Sequence, residues 1–334
     1  MEDIKNILVI NFGGIGDEIL FLPTLISLKN EFPEAKITLA LEPRSKGIKD
    51  LTDIIDDLFL IDVKSGNKYS ELWKLIRLAH KGDFDLVVSS GGNNFISILL
   101  FLTGIKFCYG YNTGKLSEML LTKAVPLNKN QYACDMYHDL ITPLTEIKTY
   151  LPEIKLENVE KQPNTILIHP GVSILSVNMG MIKTITPEKW AQVIDLLIEA
   201  GKKVILAGGP DDKDCIETIR KSLKHADSKN FVDYYGKTKS LIDLAKLIAS
   251  SEKFVCSDSA PLHIAVAVKT KTYVVFGPTD DRKLIPNSPD VITIKQSDNC
   301  PLKPCLWERR QTTCEDLICL NIEPKAMADK ILHD

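Results

Sequence analysis

The stretch Ile7-Leu8-Val9-Ile10-Asn11-Phe12-Gly13-Gly14-Ile15-Gly16-Asp17 passes from four branched apolar residues into a glycine turn that ends on an acid, and an apolar segment holding Pro23 follows. The apolar run is too short for a helix and reads as a buried strand. Glycines let the backbone turn tightly and approach a ligand closely, while a helix starting beyond them offers free N–H groups and a positive dipole end. Glycines at 13, 14 and 16 do not make the G-x-G-x-x-G spacing, which argues against a nicotinamide or flavin dinucleotide. Asp17 has two readings. It caps the N-terminus of an amphipathic helix, or it is a general base at the carboxyl end of the first strand, where open α/β sheets bind their ligands.

Outward from this turn, short β-branched runs alternate with segments of helical period. Strands are predicted at 7–11, 37–41, 58–63 and 86–89, and after the polar stretch 157–164 the pattern restarts with strands at 166–169, 203–207, 253–256, 273–276 and 291–294. This alternation implies the α/β class, with two Rossmann-like domains of mostly parallel strands joined near residue 160. The expected organisation is a first domain over 1–160, a second over 161–322, and a terminal helix over 323–334 that packs back on the first.

The 334 residues carry 41 Lys+Arg against 44 Asp+Glu, a balance without the broad basic field that nucleic-acid binding requires. Nucleic acid is therefore not expected as a partner. The N-terminus lacks the basic and apolar regions of a signal peptide, and 95–101 falls short of a bilayer span and reads as a buried helix. Cys108, Cys134, Cys215 and Cys256 sit singly in apolar or helical contexts as reduced core residues. Cys300, Cys305, Cys314 and Cys319 crowd one loop. Reduced packing cysteines are the first reading there, with a metal site or a redox-sensitive disulfide as the alternatives, because C-x4-C is looser than the usual metal knuckle.

The second half holds a more specific constellation, Ser257-Asp258-Ser259-Ala260-Pro261-Leu262-His263, between a strand and a helix starting near Pro261. Ser259, the N–H of Ala260, the helix dipole and His263 make a diphosphate cradle, against the alternative of a capped helix with a core-facing histidine. Three further turns lie at strand ends: His169-Pro170-Gly171, Gly208-Gly209-Pro210-Asp211-Asp212, and Gly277-Pro278-Thr279, with Thr279 as a phosphate donor. On the first domain, Arg44 and Lys46 in the loop 42–47 are candidate contacts for an anionic acceptor, beside Gly13 and Gly14. The stretch 89–94 lies on the same edge, either lining the acceptor side or forming only a turn and a cap.

Taken together these segments resemble glycosyltransferase family 9, the ADP-heptose:lipopolysaccharide heptosyltransferase family. The likeness rests on 7–17 with Pro23, Ile168-His169-Pro170-Gly171, and Lys183 to Trp190 in the arrangement K-x-x-x-P-E-x-W. It continues through Gly208-Gly209-Pro210, 236–241, Asp258 to His263, and 276–279. The sequence departs from the family at Ile185, where tryptophan is frequent, and at Ala260, where glycine is usual.

The resemblance implies a GT-B fold, with two Rossmann-like domains facing across a cleft, acceptor mainly on the first and nucleotide-sugar on the second. It implies inverting transfer of a sugar, heptose from ADP-heptose, to a glycolipid or oligosaccharide acceptor, with no cofactor and no catalytic metal required. Asp17 becomes the base, and Lys183 offsets charge on the departing diphosphate. Gly171, Gly208, Gly209, Asp212, Asp258, Ser259, Ala260, His263 and Thr279 form the donor side. The expected location is cytoplasmic, with peripheral contact at the inner face of the cytoplasmic membrane. The alternatives are another nucleotide-sugar donor, an epimerase, or a non-catalytic sugar-nucleotide-binding relative.

Overall fold

A computed structural model describes residues 4–64, 66–296, 300, 303–306, 314 and 317–334. The chain divides into two compact units, Met1–Lys155 and Leu156–Asp334, with the boundary just before the expected one near residue 160.

In the first unit, β1 (Asn6–Ile10), β2 (Lys36–Leu41), β3 (Asp57–Leu60), β4 (Leu86–Ser89), β5 (Phe107–Tyr111) and β6 (Lys123–Val125) form a parallel sheet in the order β3-β2-β1-β4-β5-β6. The chain winds outward from β1, then returns to its other side. That reversal opens a crevice at the carboxyl ends of β1 and β4, which is where Gly13 to Asp17 and Ser89 to Asn94 lie. Its helices are α1 (Ile15–Glu31), α2 (Lys68–Lys81), α3 (Asn94–Leu102), α4 (Lys115–Leu120) and α5 (Ala133–Asp139).

The segment after Asp17 is not the amphipathic helix expected. From Glu18 to Leu25 every residue of α1 is buried, because the 3-10 segment Pro43–Leu51 and α5 pack over it, with Phe21 and Tyr137 in ring contact at 5.2 Å. On the other face of the sheet, Leu72, Leu75 and Ile76 of α2 and Leu99 and Leu100 of α3 close over Leu8, Ile10 and Val87. Each such aliphatic side chain contributes about 1.5–3 kcal/mol by burial. The expectation of a buried helix over 95–101 is half corrected: Ile96, Leu99 and Leu100 are buried, but Phe95, Ile98, Phe101 and Leu102 remain exposed. Only one face of α3 meets the sheet, and the six-residue α4 is too short to cover the rest.

In the second unit, β7 (Gln162–His169), β8 (Lys203–Leu206), β9 (Phe231–Asp233), β10 (Ser251–Ser257), β11 (Lys271–Val275) and β12 (Val291–Ile294) repeat the layout in the order β12-β11-β10-β7-β8-β9. Here the reversal lies between β7 and β10, so His169 to Gly171 and Ser257 to His263 share one crevice. The helices are α6 (Ile174–Asn178), α7 (Pro187–Glu199), α8 (Lys213–Ser222), α9 (Leu241–Ser250), α10 (Ala260–Ala267), α11 (Asp281–Leu284) and α12 (Pro324–His333). Thr186 caps α7 by accepting the Lys189 N–H, Pro187 suits its first turn, and Trp190 is fully buried. Met327, Ala328 and Ile331 of the terminal helix α12 join the core of the second unit around Trp190 and Ile194.

Candidate active site

On the first unit, Asp17 sits in the first turn of α1, half-exposed at the crevice. Its Oδ2 accepts the Gly14 N–H at 2.7 Å, so the capping role is real. Its Oδ1 accepts the Tyr137 hydroxyl at 3.1 Å, and this second bond fixes the carboxylate plane. Tyr137 comes from α5, and burial followed by the Asp17 charge pushes its phenol well up, keeping it a donor. Gly13 must remain glycine, since a Cβ there would stand 2.3 Å from Asp17 Cβ. Arg44 reaches over Gly14, its Nη2 3.6 Å from where a Cβ on that glycine would lie. Lys46 is exposed further along the same turn, and no hydrogen bond or ion pair among the described residues ties it to this group.

Two charged residues of this cluster carry no sequence motif. Lys64 donates to the Phe12 carbonyl at 2.9 Å, and desolvation, then the Arg44 charge, push its ammonium down. Glu18 is buried and accepts from Asn11 Nδ2 at 3.1 Å, while Ser90 donates to Asn11 Oδ1 at 2.7 Å. Burial, then Asp17, push the Glu18 carboxyl well above the usual range.

A raised carboxyl costs nothing below about pH 4, where the unfolded chain is also protonated, and the cost grows as pH climbs past the unfolded value of about 4.3 toward the folded one. Glu18→Gln removes that cost and leaves Asn11 an acceptor. The Tm of the variant is therefore expected to match wild type near pH 4 and to exceed it by roughly 3 °C or more near pH 8. A gap of equal size at both pH values contradicts the ionisation account.

On the second unit, Ser259 has extended backbone at the N-cap of α10 without a capping hydrogen bond from its side chain, and its hydroxyl lies 3.4 Å from the Ser257 carbonyl. Ala260 is the first helical residue, so the substitution of glycine by alanine preserves an N–H aimed along the dipole. His263 follows one turn in and is buried. Lys183 pairs with Asp258 at 3.2 Å, and Thr279 donates to Asp258 Oδ2 at 2.7 Å. Both contacts fall on Oδ2 of Asp258, which joins Lys183 and Thr279 at this sheet edge.

Asp212 is bonded within its own turn and faces His169. Its Oδ2 accepts the Gly209 N–H at 2.7 Å and lies 3.7 Å from His169 Nε2. Burial pushes the His169 imidazole down and the Asp212 carboxyl up. The backbone of Gly171 runs so close that a Cβ there would meet Asp212 Oδ1 at 1.7 Å. A further knot holds the turn before Lys183: Trp190 Nε1 donates to Thr184 Oγ1 at 2.9 Å, Thr184 donates to the Pro170 carbonyl at 2.9 Å, and Ser257 Oγ lies 2.7 Å from both Thr184 Oγ1 and that carbonyl. Ile185 fills the core beneath this turn.

The family model of glycosyltransferase family 9 (heptosyltransferase) matches residues 72–314. The chain belongs to glycosyltransferase family 9. Its reaction is a glycosyl transfer, as the resemblance implied. Lipopolysaccharide heptosyltransferase 3 of Escherichia coli is 27% identical over 281 residues, 79% of this chain and 80% of that one. Among solved structures, the ADP-heptose lipopolysaccharide heptosyltransferase II of E. coli superposes with a TM-score of 0.75 at 18% identity, over 98% of this chain and 97% of that one. A family 9 glycosyltransferase from Veillonella parvula gives 0.71 at 23% identity, over 88% and 87%. The fold is that of these two solved structures.

All eight cysteines are free thiols, with Cys108, Cys134, Cys256 and Cys319 buried. Among the described residues no group of three or more His, Cys, Asp or Glu side chains stands in a metal-holding arrangement, and most of the loop carrying Cys300, Cys305 and Cys314 lies outside them. No helix among the described residues is long and apolar enough to cross a membrane.

Proposed function

We propose that this enzyme transfers heptose, with inversion, from ADP-heptose to a lipopolysaccharide-type glycolipid at the inner face of the cytoplasmic membrane. The observation that carries the reading is the carboxylate of Asp17, oriented at the β1/β4 crevice by Gly14 and Tyr137. The names of the relatives, which are heptosyltransferases of lipopolysaccharide, support the donor and acceptor.

The acceptor hydroxyl oxygen attacks the anomeric carbon from the face opposite the diphosphate, and its proton passes to Asp17 as that bond forms. The bond from the anomeric carbon to the diphosphate oxygen breaks, and the negative charge leaves with the nucleotide. Ser259, the N–H of Ala260 and the dipole of α10 receive that charge, with His263 behind them. Lys183, held by Asp258, neutralises what remains. Gly171, Gly208 and Gly209 contribute backbone to the donor side, and Arg44 and Lys46 offer cationic contacts to an anionic acceptor.

Calorimetric titration with ADP, UDP and GDP tests the donor side, with Ser259→Trp as a blocked control. Selective ADP binding that the control loses is expected. Preference for UDP or GDP discards heptose but keeps glycosyl transfer, and the absence of any nucleotide binding removes the transferase reading of this site.

A further inference from the structure

The outer face of the first unit carries apolar side chains that its own core does not use. Tyr69 and Trp73 on α2 are 73% and 60% exposed, Phe101 on α3 is 57% exposed, and Met119 on α4 is 80% exposed. Ile98 and Leu102 extend the same surface, and α3 lies between α2 and α4, packed on each. The helices are adjacent because the segments joining β3 to β4, β4 to β5 and β5 to β6 all cross on one face of the sheet. Scattered apolar side chains are ordinary on a protein surface, but three aromatics, a methionine and aliphatics exposed on three neighbouring helices make up an apolar face.

Charge supplies the second observation. The first 160 residues carry more acidic than basic side chains, yet α2, α3 and α4 together hold Lys68, Lys74, Arg77, Lys81 and Lys115 against Glu71 and Glu118. The Lys68 ammonium stands 5.2 Å over the Phe95 ring, and Lys74 pairs with Glu71, leaving the balance of the face positive. On these three helices basic residues outnumber acidic ones five to two, the reverse of the balance over the first 160 residues.

We propose that the outer face of α2, α3 and α4 docks on an anionic lipid bilayer, with Tyr69, Trp73, Phe101 and Met119 inserting at the headgroup–acyl boundary and the basic residues contacting phosphates. Aromatic rings with polar tips suit that depth, and lysine stems run along apolar surface while their ammonium groups stay wet. A second copy of the chain is a poorer occupant, since a two-fold contact through this face sets one basic rim against the other. The amino ends of the three helices point to the same sheet edge that carries Asp17, so a docked bilayer presents its lipids beside the crevice. The purpose of the surface rests on the reading of a lipid-linked acceptor. Its chemistry does not, and vesicles without acceptor test it separately from the nucleotide titration.

The experiment is sedimentation of the full chain with vesicles of phosphatidylethanolamine and phosphatidylglycerol, compared with vesicles of phosphatidylcholine alone, at low and high salt. Wild type is expected to bind the anionic vesicles and to release at high salt. Replacing two exposed residues together, Trp73→Ser with Phe101→Ser, is expected to weaken binding about tenfold or more. Arg77→Gln with Lys81→Gln is expected to do the same, at about fivefold per charge, and to flatten the salt dependence. Fluorescence keeps the test independent of those variants. In a Trp307→Phe background, whose remaining tryptophans are Trp73 and the buried Trp190, brominated acyl chains should quench the fluorescence, and adding the conservative Trp73→Phe should lose that quenching. Failure of wild type to bind anionic vesicles overturns the proposal, as does binding that survives both double variants. Loss of self-association in the apolar variant, with vesicle binding unchanged, assigns the face to a second copy and overturns it equally.

Discussion

Replacing Asp17 by alanine is expected to lower turnover by about three orders of magnitude while leaving ADP affinity within a few-fold of wild type, because a general base acts mainly in the transition state. The alanine variant alone does not isolate chemistry, since Asp17 also accepts the Gly14 N–H and the Tyr137 hydroxyl. Asp17→Asn separates the two roles. Its amide oxygen still accepts one of those bonds, so the Tm should stay close to wild type, but it takes no proton, so the rate should fall as far as with alanine. Steady-state transfer assays and thermal melts on both variants read this out. An asparagine variant that retains turnover reduces Asp17 to a helix cap and removes it from the mechanism.

Gly171→Ala is expected to destabilise the second unit by about 3 kcal/mol, a Tm loss of roughly 8 °C, and to weaken ADP binding at least about tenfold. The new methyl group would occupy the position of Asp212 Oδ1. Asp212 cannot swing aside without giving up the Gly209 N–H, and both loops then shift. Shortening the obstructing side chain provides the control: Gly171→Ala combined with Asp212→Ala should recover part of the stability lost by the first change, a coupling that independent sites do not show. A single variant that melts like wild type contradicts the close approach.

The parallel strands were readable because they are buried on both faces, which leaves apolar runs such as Ile7 to Ile10 and Ile166 to Ile168 without polar interruption. The short edge strands β6 and β9 and the aromatic β5 lack that signature and were not read. Family membership was legible from the order of the glycine turns and the Asp258 to His263 cluster, because each motif is local. Tyr137 was not legible. It stands 120 residues from Asp17, and only the packing of α5 on α1 brings the phenol to the carboxylate. The same reason hid the partners of Asp258: Lys183 and Thr279 come from two other turns of the sheet edge, and sequence alone shows three unattached polar residues. The exposed side of α3 was missed because an apolar run says how hydrophobic a helix is and not whether neighbours are long enough to cover it.

The knot joining Trp190, Thr184, Pro170 and Ser257 sets a rule for how this enzyme can diverge. The indole reaches Thr184 across one turn of chain, so no residue can be inserted or removed between 184 and 190 without uncoupling the start of α7 from the crevice. The stretch from 172 to 182 exposes Ile174, Leu175, Val177 and Ile182, and the Ile174 N–H is held by the Asp211 carboxylate. Homologues with different donors are therefore expected to agree in length behind Lys183 more closely than ahead of it.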